Sequence, residues 1–293
     1  MIKRLNPVTL DKSYLAVRPY RVAPISADFF KLVVNKPWGN EYLMYSSPSV
    51  EIWNLFIGHG KATSMHCHPN KKTALVVLDG KALFSSLNES MELSPMCAII
   101  IEPGVFHSTQ AISAGGVKVL EFETPPMKHD LIRLEDKYGR VNEGYEGLEK
   151  MTPSGGHTRF AAEDVDKPKV LCNSEMCIRS VNNIDDLDGI NTSKADLAVI
   201  IKGCIESKHG EPLYGVADAF HPGEFSDGGD LSPVSTIQWG GGTLVSGVVA
   251  TAMTSTTSTQ VIAGVASNYL YITRCTVSNA STTVSTDMLL QNG

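Results

Sequence analysis

His66 and His68 flank a single residue, Cys67, and a third histidine, His107, closes the stretch Glu102-Pro103-Gly104-Val105-Phe106-His107. On a β-strand alternate side chains share a face, so a His-x-His pair aims both imidazoles into one space and turns Cys67 the other way. Imidazole is the commonest side-chain ligand for Zn, Fe, Ni and Cu, and three of them leave positions open for water or substrate. A lone histidine is more often hydrogen-bonded or solvated than ligating, but this grouping is the pattern of a metal centre.

The elements that must position the three rings are short strands between Gly, Asn and Ser turns, at residues 41–45, 51–57, 73–78, 82–87, 98–101 and 117–123. Strands of this length and spacing predict an antiparallel sandwich or barrel, and hence an all-β chain. Gly60 precedes His66, the apolar run 74–78 ends at Asp79-Gly80, and the run 98–101 ends at the Pro-Gly turn before His107. This resembles the two motifs of the cupins: G, five residues, HxH, three or four residues, E, six residues, G; then PxGxxH. The resemblance implies a double-stranded β-helix (jelly-roll) barrel with His66, His68 and His107 holding a divalent ion such as Zn, Fe, Mn or Ni. One position departs. Where cupins carry a glutamate ligand this chain has Thr73, after Lys71 and Lys72, and Glu102 stands where the second motif begins with proline. A threonine hydroxyl is a poor ligand beside imidazole, so the site rests on three histidines and solvent, with Glu102 a substitute only if its turn folds inward.

Lys36-Pro37-Trp38-Gly39, the HxH centre and the run from Asp130 to Arg140 (DLIRLEDKYGR) are similar to the cupin domain of type II mannose-6-phosphate isomerases. That resemblance spans residues 36–140. It implies a metal-dependent enzyme acting on a sugar phosphate or related carbohydrate in polysaccharide precursor metabolism, by aldose to ketose interconversion. Glu121 and Glu123 share a strand face and are the candidate bases, the alternative being a polar sheet face. Lys71 and Lys72 are candidate phosphate ligands, or a solvated loop. Trp53 and Phe56 lie on opposite faces of one strand, so at most one, with Trp53 the candidate, stacks on a sugar ring; the alternative for both is core packing. Arg133 and Arg140 are expected to pair with Glu135 and Asp136. The missing glutamate also leaves open the three-histidine iron chemistry of some cupin dioxygenases.

With 293 residues, 42% hydrophobic and 19% charged, the chain has room for about two domains and a real core. It divides into an N-terminal arm (1–35), the metal-binding cupin domain (36–140), a linker rich in Gly, Pro and charge (141–169), a degenerate cupin-like half (170–238) and a Ser/Thr/Val-rich β segment (239–293). The second half has no HxH, and His209 and His221 stand near turns without partners of ligand spacing. The last segment resembles a β-sandwich piece of phage virion and surface proteins, and an uncharged edge of that kind calls for a covering partner. The alternative function is therefore a noncatalytic β-rich structural protein of a virion or surface assembly that reuses the cupin fold.

A net charge of −6 argues against general nucleic-acid binding, and no apolar run approaches the length of a membrane span. The N-terminus lacks the apolar stretch of a signal peptide, and six scattered cysteines read as free thiols. These features lead to the expectation of a cytoplasmic protein, or a virion component in the alternative reading, whose partner is a small carbohydrate or sugar phosphate. A homo-oligomer is expected, as cupins commonly pair.

Overall fold

The computed structural model describes residues 1–18, 27–181, 197–207, 212–222, 234–238 and 267–274. The first unit runs through β1 (Ile2–Leu5), α1 (Thr9–Val17), β2 (Leu32–Lys36), β3 (Gly39–Ser46), β4 (Glu51–Ile57), β5 (Met65–Cys67) and β6 (Lys72–Asp79). It continues through β7 (Ala82–Ser86), β8 (Ser90–Leu93), β9 (Ala98–Ile101), β10 (His107–Ala111), β11 (Val117–Thr124), β12 (Ile132–Glu135) and β13 (Met151–Pro153). Eight strands form one sheet in the order β1-β9-β6-β11-β4-β3-β2-β13, and five form the other in the order β12-β5-β10-β7-β8. From β4 to β12 the chain passes repeatedly between the two sheets. This jelly-roll winding makes the first unit a double-stranded β-helix. The segment 1–35, read as an arm, supplies α1 and a strand that pairs parallel to β9, and the segment 141–169 supplies β13 at the far edge.

The period of two assigns each face of the larger sheet. Trp53, Leu55, Ile57, Leu75, Val77, Val117 and Val119 pack into the barrel. Their neighbours Ile52, Ala74, Val76, Leu120 and Phe122 form another cluster on the outer face, with Phe160, Met176, Ile178, Leu197, Val199 and Ile201. The large sheet is thus a middle layer, which explains why residues 74–78 read as an unbroken apolar run rather than an alternation. Each fully buried Val, Leu or Phe in such a layer contributes about 1.5–3 kcal/mol.

Two motif glycines have conformational reasons. Gly80 has φ +80°, and a Cβ there would stand 2.3 Å from the Gly116 carbonyl oxygen. Gly104, with φ +85°, turns the chain between β9 and β10.

The second unit contains β14 (Lys169–Leu171), β15 (Ser174–Val181), β16 (Leu197–Lys202), β17 (Cys204–Ser207), β18 (Pro212–Tyr214), β19 (Ala219–Phe220), β20 (Val234–Gln238) and β21 (Ser267–Arg274). They form a sheet β14-β15-β21-β16-β19 and a smaller one β18-β17-β20. β21 comes from the Ser/Thr/Val-rich segment 239–293 and is the central strand of its sheet, paired with β15 from Ser174↔Arg274 to Val181↔Ser267. The rest of that segment, and His209, lie outside the described residues. Asp218 ties this unit to the barrel, accepting from Arg4 at 2.7 Å and from Lys72 Nζ at 2.8 Å. Among the described residues no helix is long and apolar enough to cross a membrane.

Candidate metal centre

β5 and β10 are neighbours in the smaller sheet, with His107 directly opposite His66. His68 follows just past the end of β5. The ring centroids stand 4.4 Å apart for His66 and His107, 5.0 Å for His66 and His68, and 5.5 Å for His68 and His107. One nitrogen from each ring falls within 4.8 Å of the others. Cys67 points away into a cluster with Phe106, Ile132 and Leu134, and burial pushes its thiol up to about 12, so it is no ligand.

The second nitrogen of every ring is engaged. His66 Nδ1 donates to the Ser64 carbonyl at 2.8 Å, His68 Nδ1 to the Asp130 carbonyl at 2.6 Å and His107 Nδ1 to the Val105 carbonyl at 3.0 Å. A carbonyl oxygen can only accept, so each Nδ1 carries the proton and each Nε2 presents a lone pair. His68 Nε2 is buried and has no hydrogen-bond partner. Burial depresses all three pKa values, His66 and His68 well below the ordinary histidine range and His107 to about 4. Neighbouring charge adds to this at each ring: His107 acts on His66, and Lys71 on His68 and His107. Three neutral imidazoles with backbone-fixed tautomers and an orphaned Nε2 suit a divalent ion of the Zn, Fe or Ni type, which takes nitrogen ligands at about 2.0–2.1 Å.

Asp130, the first residue of the DLIRLEDKYGR run, fixes this geometry. Its backbone orients His68, and its side chain accepts from Asn70 N–H at 2.8 Å and Lys71 N–H at 3.0 Å. Glu102 faces away and pairs with Arg4, so it does not replace the missing glutamate. Thr73 is buried, with its hydroxyl unpartnered. The carboxylates on this face come instead from the adjacent strand β11, where Glu123 lies opposite Thr73 and Glu121 opposite Leu75. Glu121 Oε1 is 4.0 Å from His68 Nε2.

A cavity opens onto the cluster, lined among others by Trp38, Lys71, Glu121, Glu123, Lys128 and Arg133. Lys128 joins the lining carboxylates, with Nζ 3.0 Å from Glu123, 3.3 Å from Glu41 and 3.6 Å from Glu121, and 3.9 Å above the Trp53 ring. Burial alone would disfavour this ammonium, but the three carboxylates raise its pKa. Glu41 falls to about 2, because Lys128 and Lys36 outweigh the burial that would raise it. Glu123 likewise lies below its ordinary value: burial opposes this, but Lys128 and Lys71 prevail. Glu121 goes the other way, to about 7, because burial dominates, Glu123 adds repulsion and Lys128 offsets only part of the cost. The site therefore holds one carboxyl poised near neutrality beside another kept ionised.

The structure brings His66, His68, His107, Lys71, Glu121 and Glu123 to one cavity. Lys71 is 1% exposed and bonds Glu123 at 2.8 Å, so it is no solvated loop lysine. Lys72 turns to Asp218, away from the cavity lining. Trp53 is fully buried in the barrel, with Nε1 donating to Glu51 and the ring edge-on to Phe29, so its place is core packing beneath Lys128. Arg140 pairs with Asp136 at 2.8 Å and also with Glu146, whereas Arg133 turns from Glu135 to Glu146 at 3.5 Å and the carbonyls of Glu143 and Gly144. Lys128, Glu41, Tyr145 and Glu146 also line it without having stood out in the sequence, and Lys36 reaches it from the Lys36-Pro37-Trp38-Gly39 element. Lys128 follows Pro125-Pro126 in a stretch that reads as an ordinary polar turn.

No family model and no curated protein matches this chain. Solved structures similar to parts of it include the capsular polysaccharide assembling protein CapF of Staphylococcus aureus, at 17% identity and TM-score 0.32, over 36% of this chain and 34% of that one. KdgF of Halomonas sp. is similar at 16% identity and TM-score 0.29, over 30% of this chain and 82% of that one. A cupin 2 domain-containing protein of Halorhodospira halophila is similar at 14% identity and TM-score 0.28, over 32% of this chain and 75% of that one. This chain spans about a third of the length of CapF, and the double-stranded β-helix rests on the sheet order and register described above.

Proposed function

We propose that the barrel is a metal-dependent enzyme acting on a small carbohydrate, with His66, His68 and His107 holding the ion and Glu121 moving the proton. The supporting observation is the convergence of three neutral imidazoles, each with Nδ1 tied to a backbone carbonyl, on the cavity wall that carries Glu121. A bound divalent ion supplies Lewis acidity there, polarising a carbonyl or hydroxyl oxygen of the substrate.

The chain's own residues do the rest. Glu121, with a pKa of about 7, is matched to taking a proton from a carbon next to a carbonyl and returning it to the former carbonyl carbon, while the hydroxyl proton of the first carbon passes to the former carbonyl oxygen. Glu123, kept ionised by Lys71 and Lys128, holds those ammonium groups in place and raises Glu121. Lys128 neutralises the carboxylates that line the cavity and keeps a donor near the reacting centre. The finer reading is aldose to ketose isomerisation of a sugar phosphate, with Lys71 or Arg133 meeting the phosphate. The test is to incubate the metal-loaded protein with hexose phosphates and free hexoses and follow isomer ratios by NMR with solvent deuterium incorporation. Exchange of the C2 proton that disappears in the Glu121→Gln variant supports this function. Turnover unchanged in that variant counts against it.

A further inference from the structure

The stretch from Glu102 to Phe106 that delivers His107 is held from the N-terminal side of the chain. Glu102 N–H donates to the Leu5 carbonyl at 3.0 Å, and Gly104 N–H donates to the His68 carbonyl at 2.8 Å. Phe106 N–H, one residue before the ligand, donates to Asp11 Oδ1 at 2.9 Å. The other oxygen of Asp11 accepts Val8 N–H at 2.8 Å, closing the first turn of α1. Asp11 is 2% exposed, with one backbone donor on each oxygen. Around it Tyr14 meets the Phe106 ring edge-on at 6.3 Å, and Leu15 packs on the cluster of Cys67 and Phe106, the residues that alternate with the ligands.

We propose that Asp11 is a positioning residue for the metal site: by holding Phe106 N–H it fixes the turn that presents His107. The inference rests on the metal reading of the three histidines. Its logic is that of an outer-shell group, which touches no ion but sets the direction of one that does. The helix has a separate latch at its other end, where the Arg18 guanidinium donates to the carbonyls of Arg133 at 3.2 Å and Leu134 at 3.4 Å. Cutting that latch loosens α1 without touching the His107 turn.

The test titrates the full chain with Co²⁺, reading the visible absorption bands and the thermal shift each addition produces. Asp11→Ala is expected to weaken Co²⁺ binding by about 10–100-fold and to alter the band shape. Asp11→Asn accepts from only one of the two N–H groups and falls between it and wild type. Arg18→Ala lowers the melting temperature of the metal-free protein but keeps the wild-type affinity and spectrum. Equal affinity in Asp11→Ala and wild type, or equal losses in Asp11→Ala and Arg18→Ala, overturns the inference alone. If Asp11→Ala does not fold, wild-type affinity in Asp11→Asn overturns it instead. A wild-type chain that takes up no Co²⁺ overturns both this inference and the metal reading.

Discussion

Acidifying the metal-free protein from pH 7 to pH 5 should destabilise it, and the size of the loss follows from the buried cluster. His107 titrates at about 4 when folded against 6.5 when unfolded, because burial disfavours the imidazolium. The unfolded chain therefore binds more protons in this window, so the contribution is intact above the unfolded pKa and lost as pH falls. At pH 5 the loss is about 2 kcal/mol for His107, and His66 and His68, depressed well below the ordinary range by the same burial, add losses of the same sign. Glu121 acts with the opposite sign. Its pKa is raised from 4.5 to about 7, so the folded state takes up the proton first and gains about 2 kcal/mol over the same interval. Glu41, held near about 2 when folded, stays ionised in both states down to pH 5 and adds little. The loss at His107 roughly cancels the gain at Glu121, and the further losses at His66 and His68 leave the protein less stable at pH 5, with a lower Tm. Thermal unfolding of chelator-treated protein followed by circular dichroism measures it. In a His66→Gln, His68→Gln, His107→Gln variant the dependence should reverse, because Glu121 is left to make the acidic condition the more stable one. A wild-type Tm that is flat or rises on acidification, or a variant that keeps the wild-type slope, refutes the reasoning.

Other perturbations separate the parts of the site. Glu121→Gln should lower turnover by about 10²–10⁴-fold while leaving ion stoichiometry at the wild-type value, read by steady-state kinetics and elemental analysis. Lys128→Met strips the shared cation from Glu41, Glu121 and Glu123 and should cost about 3–5 kcal/mol in chemical denaturation; a loss below about 1 kcal/mol shows that the network is not held by that ammonium. Cys67, buried and with its thiol pushed up to about 12, should resist an aromatic disulfide reagent in native protein and react once unfolded. Saturating Zn²⁺ at about 100 times its dissociation constant should add roughly 2.7 kcal/mol of stability at pH 7, and this gain should vanish in His66→Ala.

The three histidines were legible because period-two geometry and two turn glycines act locally, and neither needs a distant partner. The strands at 51–57, 73–78, 98–101 and 117–123 were legible for the same reason, and they appear within one or two residues as β4, β6, β9 and β11. The short strands β5, β8 and β12 carry little apolar signal and owe their existence to pairing with neighbours in the smaller sheet. The charged lining was hidden because it is assembled from residues far apart in the chain. Lys128, Glu41 and Glu146 each look like surface residues until folding brings them to one cavity. Glu121 and Glu123 could be named as a pair, but the opposite direction of their pKa shifts depends on Lys71 and Lys128 and on burial. Lys72 and Trp53 show the converse. Adjacency to the motif and aromatic character suggested ligand contacts, and the fold turns Lys72 to Asp218 and packs Trp53 in the core. Asp11 left no mark in the sequence, since its partner Phe106 lies 95 residues away.

In the proposed site three Nε2 atoms share one ion. X-ray absorption at the metal edge of purified protein, with metal content measured in parallel, tests it most directly. One ion per chain with three imidazole nitrogens at about 2.0–2.1 Å is expected, reduced to a sub-stoichiometric signal in His68→Ala. A folded protein that takes up no ion from excess Zn²⁺, Fe²⁺ or Ni²⁺, or an ion retained in full with His66, His68 and His107 all replaced, contradicts it.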